Sequence, residues 1–300
     1  MKTNPVDVNV VLGTLKDFQK RTAKFAFERL VLDPAGTRRF LVADEVGLGK
    51  TLVARGVVAQ TIDHLWGRAR IDIIYVCSNK DIARQNINRL KVTKDEGFAL
   101  ATRLTLLARR KKSRTGATDF RDNALNFISL TPGTSFDPQG TQLGEKSERA
   151  LLLHLLQACW GASGMAPQNV LQGNAGPDSF RAEVAAFPDY YDLDPEVLAT
   201  FKVELGRAEE RAKSLGKSSL RARFEDLCSR FPRMKGNIPA RDRTDRNAFV
   251  GELRMLLARA CVRVLSPDLV ILDEFQRFRH LLAEDTEAGM LAHELFNFAD

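Results

Sequence analysis

Apolar positions along this chain follow two different periods. Mostly apolar runs occur at Phe40–Ala43, Ile71–Cys77, Asn126–Leu130 and Leu269–Leu272. Runs of that length, bounded by polar or glycine-containing turns, predict strands buried on both faces. Arg103–Leu107 reads as a further strand. Between the runs, apolar residues recur every three or four positions. Leu15, Phe18, Thr22 and Phe25 trace one face of a helix predicted over Leu15–Leu32, opened by a Thr14/Asp17 capping box and stopped by Asp33-Pro34-Ala35-Gly36. The same spacing predicts helices after Thr51 to His64, from a Ser78 or Asn79 cap through Leu90, and over Ala248–Val262. Strands alternating with amphipathic helices imply an α/β fold, a parallel sheet covered by helices.

Between Phe136 and Arg246 the alternation stops. Pro/Gly-rich pieces at Thr131–Gly144 and Gly161–Gly176 separate helical stretches, of which Pro195–Leu215 and Ser218–Arg230 are clearest. Ala150–Trp160 reads as a buried helix. The expected organisation is an α/β lobe formed by residues 1–136 and 246–300, with a mainly helical insertion over 137–245, before the last strand.

Charge and cysteine usage narrow the classes. Lys and Arg outnumber Asp and Glu by 45 to 38, a net charge of +7 that suits a polyanionic partner. Cys77, Cys159, Cys228 and Cys261 are scattered and form no C-x-x-C pair, and the four histidines show no ligand spacing. Neither a disulfide framework nor a zinc site is indicated. No stretch approaches the ~20 apolar residues of a membrane span, and Met1–Asn9 lacks the apolar core of a secretory signal. The expectation is a cytoplasmic protein with no membrane partner.

The chemistry begins at Asp44-Glu45-Val46-Gly47-Leu48-Gly49-Lys50-Thr51. A strand, a glycine-containing turn and a helix opening with Lys-Thr form an anion site by backbone geometry. The first N–H groups of the helix lack intrahelical partners, and its dipole adds favourable potential. Gly47 and Gly49 let the backbone approach phosphate oxygens without Cβ clashes. Lys50 would reach the β- and γ-phosphates, and the Thr51 hydroxyl would ligate Mg²⁺. Asp44 stands where G-x-x-x-x-G-K-[ST] has its first glycine. A second acidic element, Asp273-Glu274-Phe275-Gln276, follows the strand Leu269–Leu272. Ligands bind at that edge of an open parallel sheet. Asp273 would hold Mg²⁺ opposite Thr51, and Glu274 would take the proton of the attacking water. The cofactors expected are ATP and Mg²⁺.

These residues resemble a family. Asp44–Thr51 is similar to motif I of Swi/Snf-type superfamily 2 ATPases, D-E-x-G-L-G-K-T, which accounts for the missing first glycine. Asp273–Gln276 resembles the D-E-x-x box, motif II, with Gln at the fourth place. The resemblance implies a P-loop NTPase with a RecA-like parallel sheet, in which Gly47, Leu48, Gly49, Lys50 and Thr51 hold the nucleotide. It implies that Gln276 couples the nucleotide site to other motifs and that Gln19 reads adenine. Ser78, Asn79 and Gln85 resemble motif Ia, and Thr131-Pro132-Gly133-Thr134 resembles motif Ib. By that likeness Ser78, Asn79, Gln85, Thr131 and Gly133 would touch nucleic acid. Each of these two segments also reads as an ordinary strand-to-helix turn.

The resemblance covers residues 15–136 and 246–280. No S-A-T follows Asp273, and no second RecA-like lobe is present. The expectation is therefore the ATP-binding lobe of an ATP-dependent DNA helicase or duplex translocase, a piece of a longer two-lobed motor, with the second lobe supplied in cis or in trans. Duplex DNA is the preferred partner over single strands, with RNA as an alternative. The basic run Arg103–Arg114 could follow a nucleic-acid backbone or be a solvated loop. The rival readings are a P-loop ATPase of another class acting on protein, and an ATP- or DNA-binding module without turnover.

Overall fold

The computed structural model describes residues 4–43, 49–78, 80–93, 98–99, 103–112, 119, 122–131, 143–233, 238–277 and 286–296. In the first part of the chain the helices are α1 (Val8–Gly13), α2 (Asp17–Phe27), α3 (Lys50–Leu65) and α4 (Lys80–Leu90). The strands are β1 (Ile71–Cys77), β2 (Phe98–Ala99), β3 (Arg109–Lys111), β4 (Leu125–Leu130), β5 (Tyr191–Leu193) and β6 (Leu269–Asp273). The later helices are α5 (Lys146–Trp160), α6 (Met165–Gln172), α7 (Pro177–Tyr190), α8 (Pro195–Ser214), α9 (Leu220–Arg230), α10 (Ala240–Leu265) and α11 (Glu287–Phe296). The architecture is α/β, with a small parallel sheet flanked by helices and a mostly helical remainder.

The chain forms two compact units. The first comprises 1–100, 120–130 and 267–277, and the second comprises 101–119, 131–266 and 278–300. In the first unit, β2-β4-β1-β6 is a parallel sheet in that order, with β2 only two residues long. β1 pairs with β4 on one side (Ile74 opposite Ile128) and with β6 on the other (Ile74 opposite Val270). Every residue of β1 is buried, Asp72 and Tyr75 included, as a central parallel strand covered on both faces requires. Ile71, Ile73, Tyr75 and Cys77 share one core with Ala83 and Ile87 of α4, Val53 and Val57 of α3, and Ala23 of α2.

Gly56 sets the distance between α3 and its neighbours. A Cβ there would lie 2.8 Å from Ala23 Cβ and 3.1 Å from Leu15 Cδ1. Hydrogen at that position lets the helix carrying Lys50 lie flat against α2.

Several sequence expectations need correction. Phe40–Ala43 is not a strand: it pairs with no other strand among the described residues, and Leu41 is 63% exposed. Arg103–Leu107 is not a strand either. A 3-10 turn spans Leu104–Ala108, and Leu104 and Leu107, three apart, are the residues it buries most deeply alongside Ala108. The helix expected over Leu15–Leu32 starts at Asp17 and passes into a π-helical turn at Glu28–Leu32. Its entry is not the Thr14/Asp17 box. Thr14 closes α1, its hydroxyl donating to Val11 O at 2.7 Å, and Gln19 Oε1 accepts from Lys16 N at 3.0 Å. α10 begins well before Ala248; Arg230 of α9 holds its polar first turns through Asp242 (3.0 Å) and Asp245 (2.8 Å).

The second unit is organised around buried charge. Glu148 of α5 accepts from Thr105 Oγ1 (2.5 Å), Arg103 Nη1 (3.0 Å) and Arg254 Nη2 of α10 (3.3 Å), and Glu148 and Arg254 side chains are each 1% exposed. Arg149 donates to the carbonyls of Leu143, Gly144 and Gln172. Burial lowers the Arg149 guanidinium to about 10, with Glu148 opposing the shift. No described helix is long and apolar enough to cross a membrane.

Candidate functional site

The C-terminal edge of the sheet gathers the acidic residues. Cys77 lies opposite Asp273 in the β1–β6 register, so Ser78 and Glu274 leave neighbouring strands side by side. Asp273 Oδ2 accepts a short hydrogen bond from the Tyr75 hydroxyl and another from Asn86 Nδ2 at 3.0 Å. The same Asn86 amide lies 3.1 Å from the Tyr75 oxygen. Tyr75 is 2% exposed; burial first, and then its bond to Asp273, push its hydroxyl well above the ordinary tyrosine range. The phenol therefore stays a neutral donor. Asp273 Oδ1 takes no hydrogen bond from the described residues, so the carboxylate is oriented by one oxygen with the other left over.

Glu274 is held differently. Its Oε2 accepts from Ser78 Oγ at 3.1 Å and lies 3.2 Å from Arg277 Nε. Its backbone is left-handed, φ 52°, an uncommon conformation for a residue with a side chain. Gln276 is exposed in the turn that follows.

α3 opens at Lys50 immediately after Gly49 and packs against β6 as well as α2. Gly49 has φ +83°, which favours glycine, and a Cβ there would meet Gln19 Nε2 at 2.5 Å. The buried Gln19 is thus brought against the start of α3, although its Oε1 is already engaged by Lys16 N. Lys50 is exposed and Thr51 half-buried on the first turn.

Gly47, Leu48, Asn79 and Gly133 lie outside the described residues. Gln85 is exposed on α4, and Thr131 directly follows β4. The structure therefore joins Gln19 to Gly49 and Ser78 to Glu274. It also adds Tyr75, Asn86 and Arg277, which sequence reasoning missed. Tyr75 carried a faint signal, the one aromatic hydroxyl within an aliphatic strand. Asn86 and Arg277 carried none, because both lie on polar-rich segments.

The basic run is partly consumed inside the second unit. Arg103 pairs with Glu145 (3.1 Å) and Glu148 (3.0 Å), Arg109 stacks 4.3 Å over the Tyr191 ring, and Lys112 pairs with Asp192 at 3.2 Å. Among the described residues no cluster of His, Cys, Asp and Glu could itself hold a metal. No protein family, curated protein or solved structure matches the chain.

Proposed function

We propose that this chain binds and hydrolyses ATP at the C-terminal edge of its sheet, as the RecA-like P-loop lobe of a DNA helicase or duplex translocase. The observation that carries the reading is the β1–β6 register. It puts Asp273 and Glu274 at the sheet edge on a strand against which α3 packs, and α3 begins Gly49-Lys50-Thr51.

The residues fit a magnesium nucleotide. Mg²⁺ takes hard oxygen donors and keeps several waters, so one carboxylate and one hydroxyl are a sufficient protein share. Asp273, with Oδ1 left over and Oδ2 fixed by Tyr75 and Asn86, would supply the carboxylate, and Thr51 the hydroxyl. When bound, the ion would neutralise charge on the β- and γ-phosphate oxygens. Lys50 and the N–H groups of the first turn of α3 would bind the phosphates, with the positive end of the helix dipole facing them. Gln19, beside Gly49, would face the base. Glu274 would orient the attacking water and take its proton.

ATP turnover by the wild-type chain tests this, measured alone and with duplex DNA, single-stranded DNA and RNA. Lys50→Ala and Glu274→Gln should each abolish hydrolysis, and duplex DNA should raise the wild-type rate most. Wild-type protein that neither binds nor hydrolyses ATP would end the proposal.

One observation favours a second reading, an ATPase acting on protein. Arg103, Arg109 and Lys112 are engaged within the protein rather than presented to a polyanion. Hydrolysis indifferent to every nucleic acid would select it.

A further inference from the structure

We propose that the groove between α5 and β5 binds a nucleobase that carries an amino group. The groove lies wholly within the second unit and is independent of the ATPase reading.

A missing hydrogen sets its chemistry. Pro188 sits inside α7 and has no N–H to return to the Val184 carbonyl one turn back. His154 of α5 takes its place, with Nε2 lying 3.1 Å from Val184 O. A carbonyl only accepts, so Nε2 carries the proton and the neutral ring is left with Nδ1 as an acceptor. Nδ1 takes no hydrogen bond from the described residues and is not sealed from solvent. Burial holds the imidazole below the ordinary histidine value, which keeps the ring neutral and Nδ1 unprotonated near neutral pH. The fold thus selects one tautomer and leaves its lone pair open.

Around that lone pair the groove suits a flat ligand. Its volume is about 310 Å³, at the small end of the range for ligand sites, about 300–1,000 Å³. The His154 and Phe187 rings stack at 4.5 Å with 21° between their planes, and the Tyr191 ring continues the wall 5.6 Å from Phe187. Bases bind proteins by stacking on such faces. Gln157, three residues after His154 and so on the same side of α5, offers an amide that both donates and accepts. The edge of a base alternates in the same way. Its amino group would donate to Nδ1, and a ring nitrogen would accept from the Gln157 amide. A cationic ligand is disfavoured, because Arg109 lies 4.3 Å over the Tyr191 ring and Lys112 pairs with Asp192 beside the groove at 3.2 Å. The same cations tolerate a phosphate, so a free nucleotide and a single strand share the required chemistry.

Isothermal titration of the full chain with adenosine, purine riboside (which lacks the amino group), AMP and a short deoxyadenosine oligonucleotide tests this. Purine riboside should bind roughly three- to tenfold more weakly than adenosine, the equivalent of one hydrogen bond. In His154→Phe, which keeps a flat ring and removes Nδ1, the two nucleosides should bind equally. That variant also loses the Val184 contact, so two changes at exposed positions accompany it. Gln157→Leu should weaken both nucleosides, and Ala158→Trp, which fills the groove, should abolish binding of both. Whichever of AMP and the oligonucleotide binds more tightly identifies the source of the base, and Ala158→Trp should remove that binding too. Failure of every nucleoside to bind at millimolar concentration overturns the proposal. So does adenosine binding unchanged in Ala158→Trp, or a preference for the amino group that survives in a folded His154→Phe.

Discussion

The Tyr75 hydroxyl donates to Oδ2 of Asp273, tying the centre of β1 to the last residue of β6. Tyr75→Phe keeps the ring in the core and deletes this donor, together with the oxygen that Asn86 Nδ2 reaches at 3.1 Å. Asp273 would keep only the Asn86 amide and lose part of its orientation. The expected result is a loss of about 1 kcal/mol in stability. In the proposed site, it should also raise the Mg²⁺ concentration needed for half-maximal ATP turnover by about tenfold, as removal of a ligand's supporting partner does. Urea denaturation reads the first and a Mg²⁺ titration the second. An unaltered Mg²⁺ requirement would mean that Tyr75 is only a core residue.

Gly56 should resist a substitution that helix propensity favours. Alanine in an open helix position stabilises by about 1 kcal/mol relative to glycine. Here the added methyl would sit 2.8 Å from Ala23 Cβ, and overpacking costs about 1–3 kcal/mol. Gly56→Ala is expected to lower the melting temperature. A rise would show that α2 and α3 separate without cost.

In the second unit, Glu148→Ala would leave Arg254 buried without its carboxylate. Breaking a buried pair from one side costs about 3–5 kcal/mol. The variant should unfold at markedly lower urea concentration or fail to accumulate folded. A loss below about 1 kcal/mol would mean that water reaches the cluster.

His154 gives the pH dependence a definite sign. Burial holds its imidazole below the ordinary histidine value, while its contact with the Val184 carbonyl works the other way. The ring also stacks on Phe187 at 4.5 Å. The unfolded chain therefore takes up the proton first, and stability falls as pH drops through the ordinary histidine range. Above that range both states are neutral and the contribution is flat. The urea midpoint should fall between about pH 7.5 and about pH 5, and His154→Gln should fall less. Equal falls would assign the dependence to carboxylates.

What the sequence determined by itself is the part of the fold governed by local periodicity. Ile71–Cys77 and Leu269–Leu272 are mostly apolar runs too short for helices and too apolar for loops, and both are strands of the parallel sheet. The Gly-Lys-Thr beginning α3 and the Asp-Glu ending β6 were legible because chain order alone places them at a helix start and a strand end. Tertiary structure decided the rest. Phe40–Ala43 has strand-like composition, but a strand exists only by sharing hydrogen bonds with a neighbour, and none pairs with it among the described residues. Leu104–Ala108 became a 3-10 turn because its neighbours bury Leu104 and Leu107 on one side, with Thr105 fixed by Glu148 from a distant helix. The grip of Tyr75 and Asn86 on Asp273, and of Ser78 and Arg277 on Glu274, was equally invisible. Hydrogen-bond geometry of that kind depends on strand register and helix docking, which fix distances between residues far apart in the chain and leave no trace in local pattern.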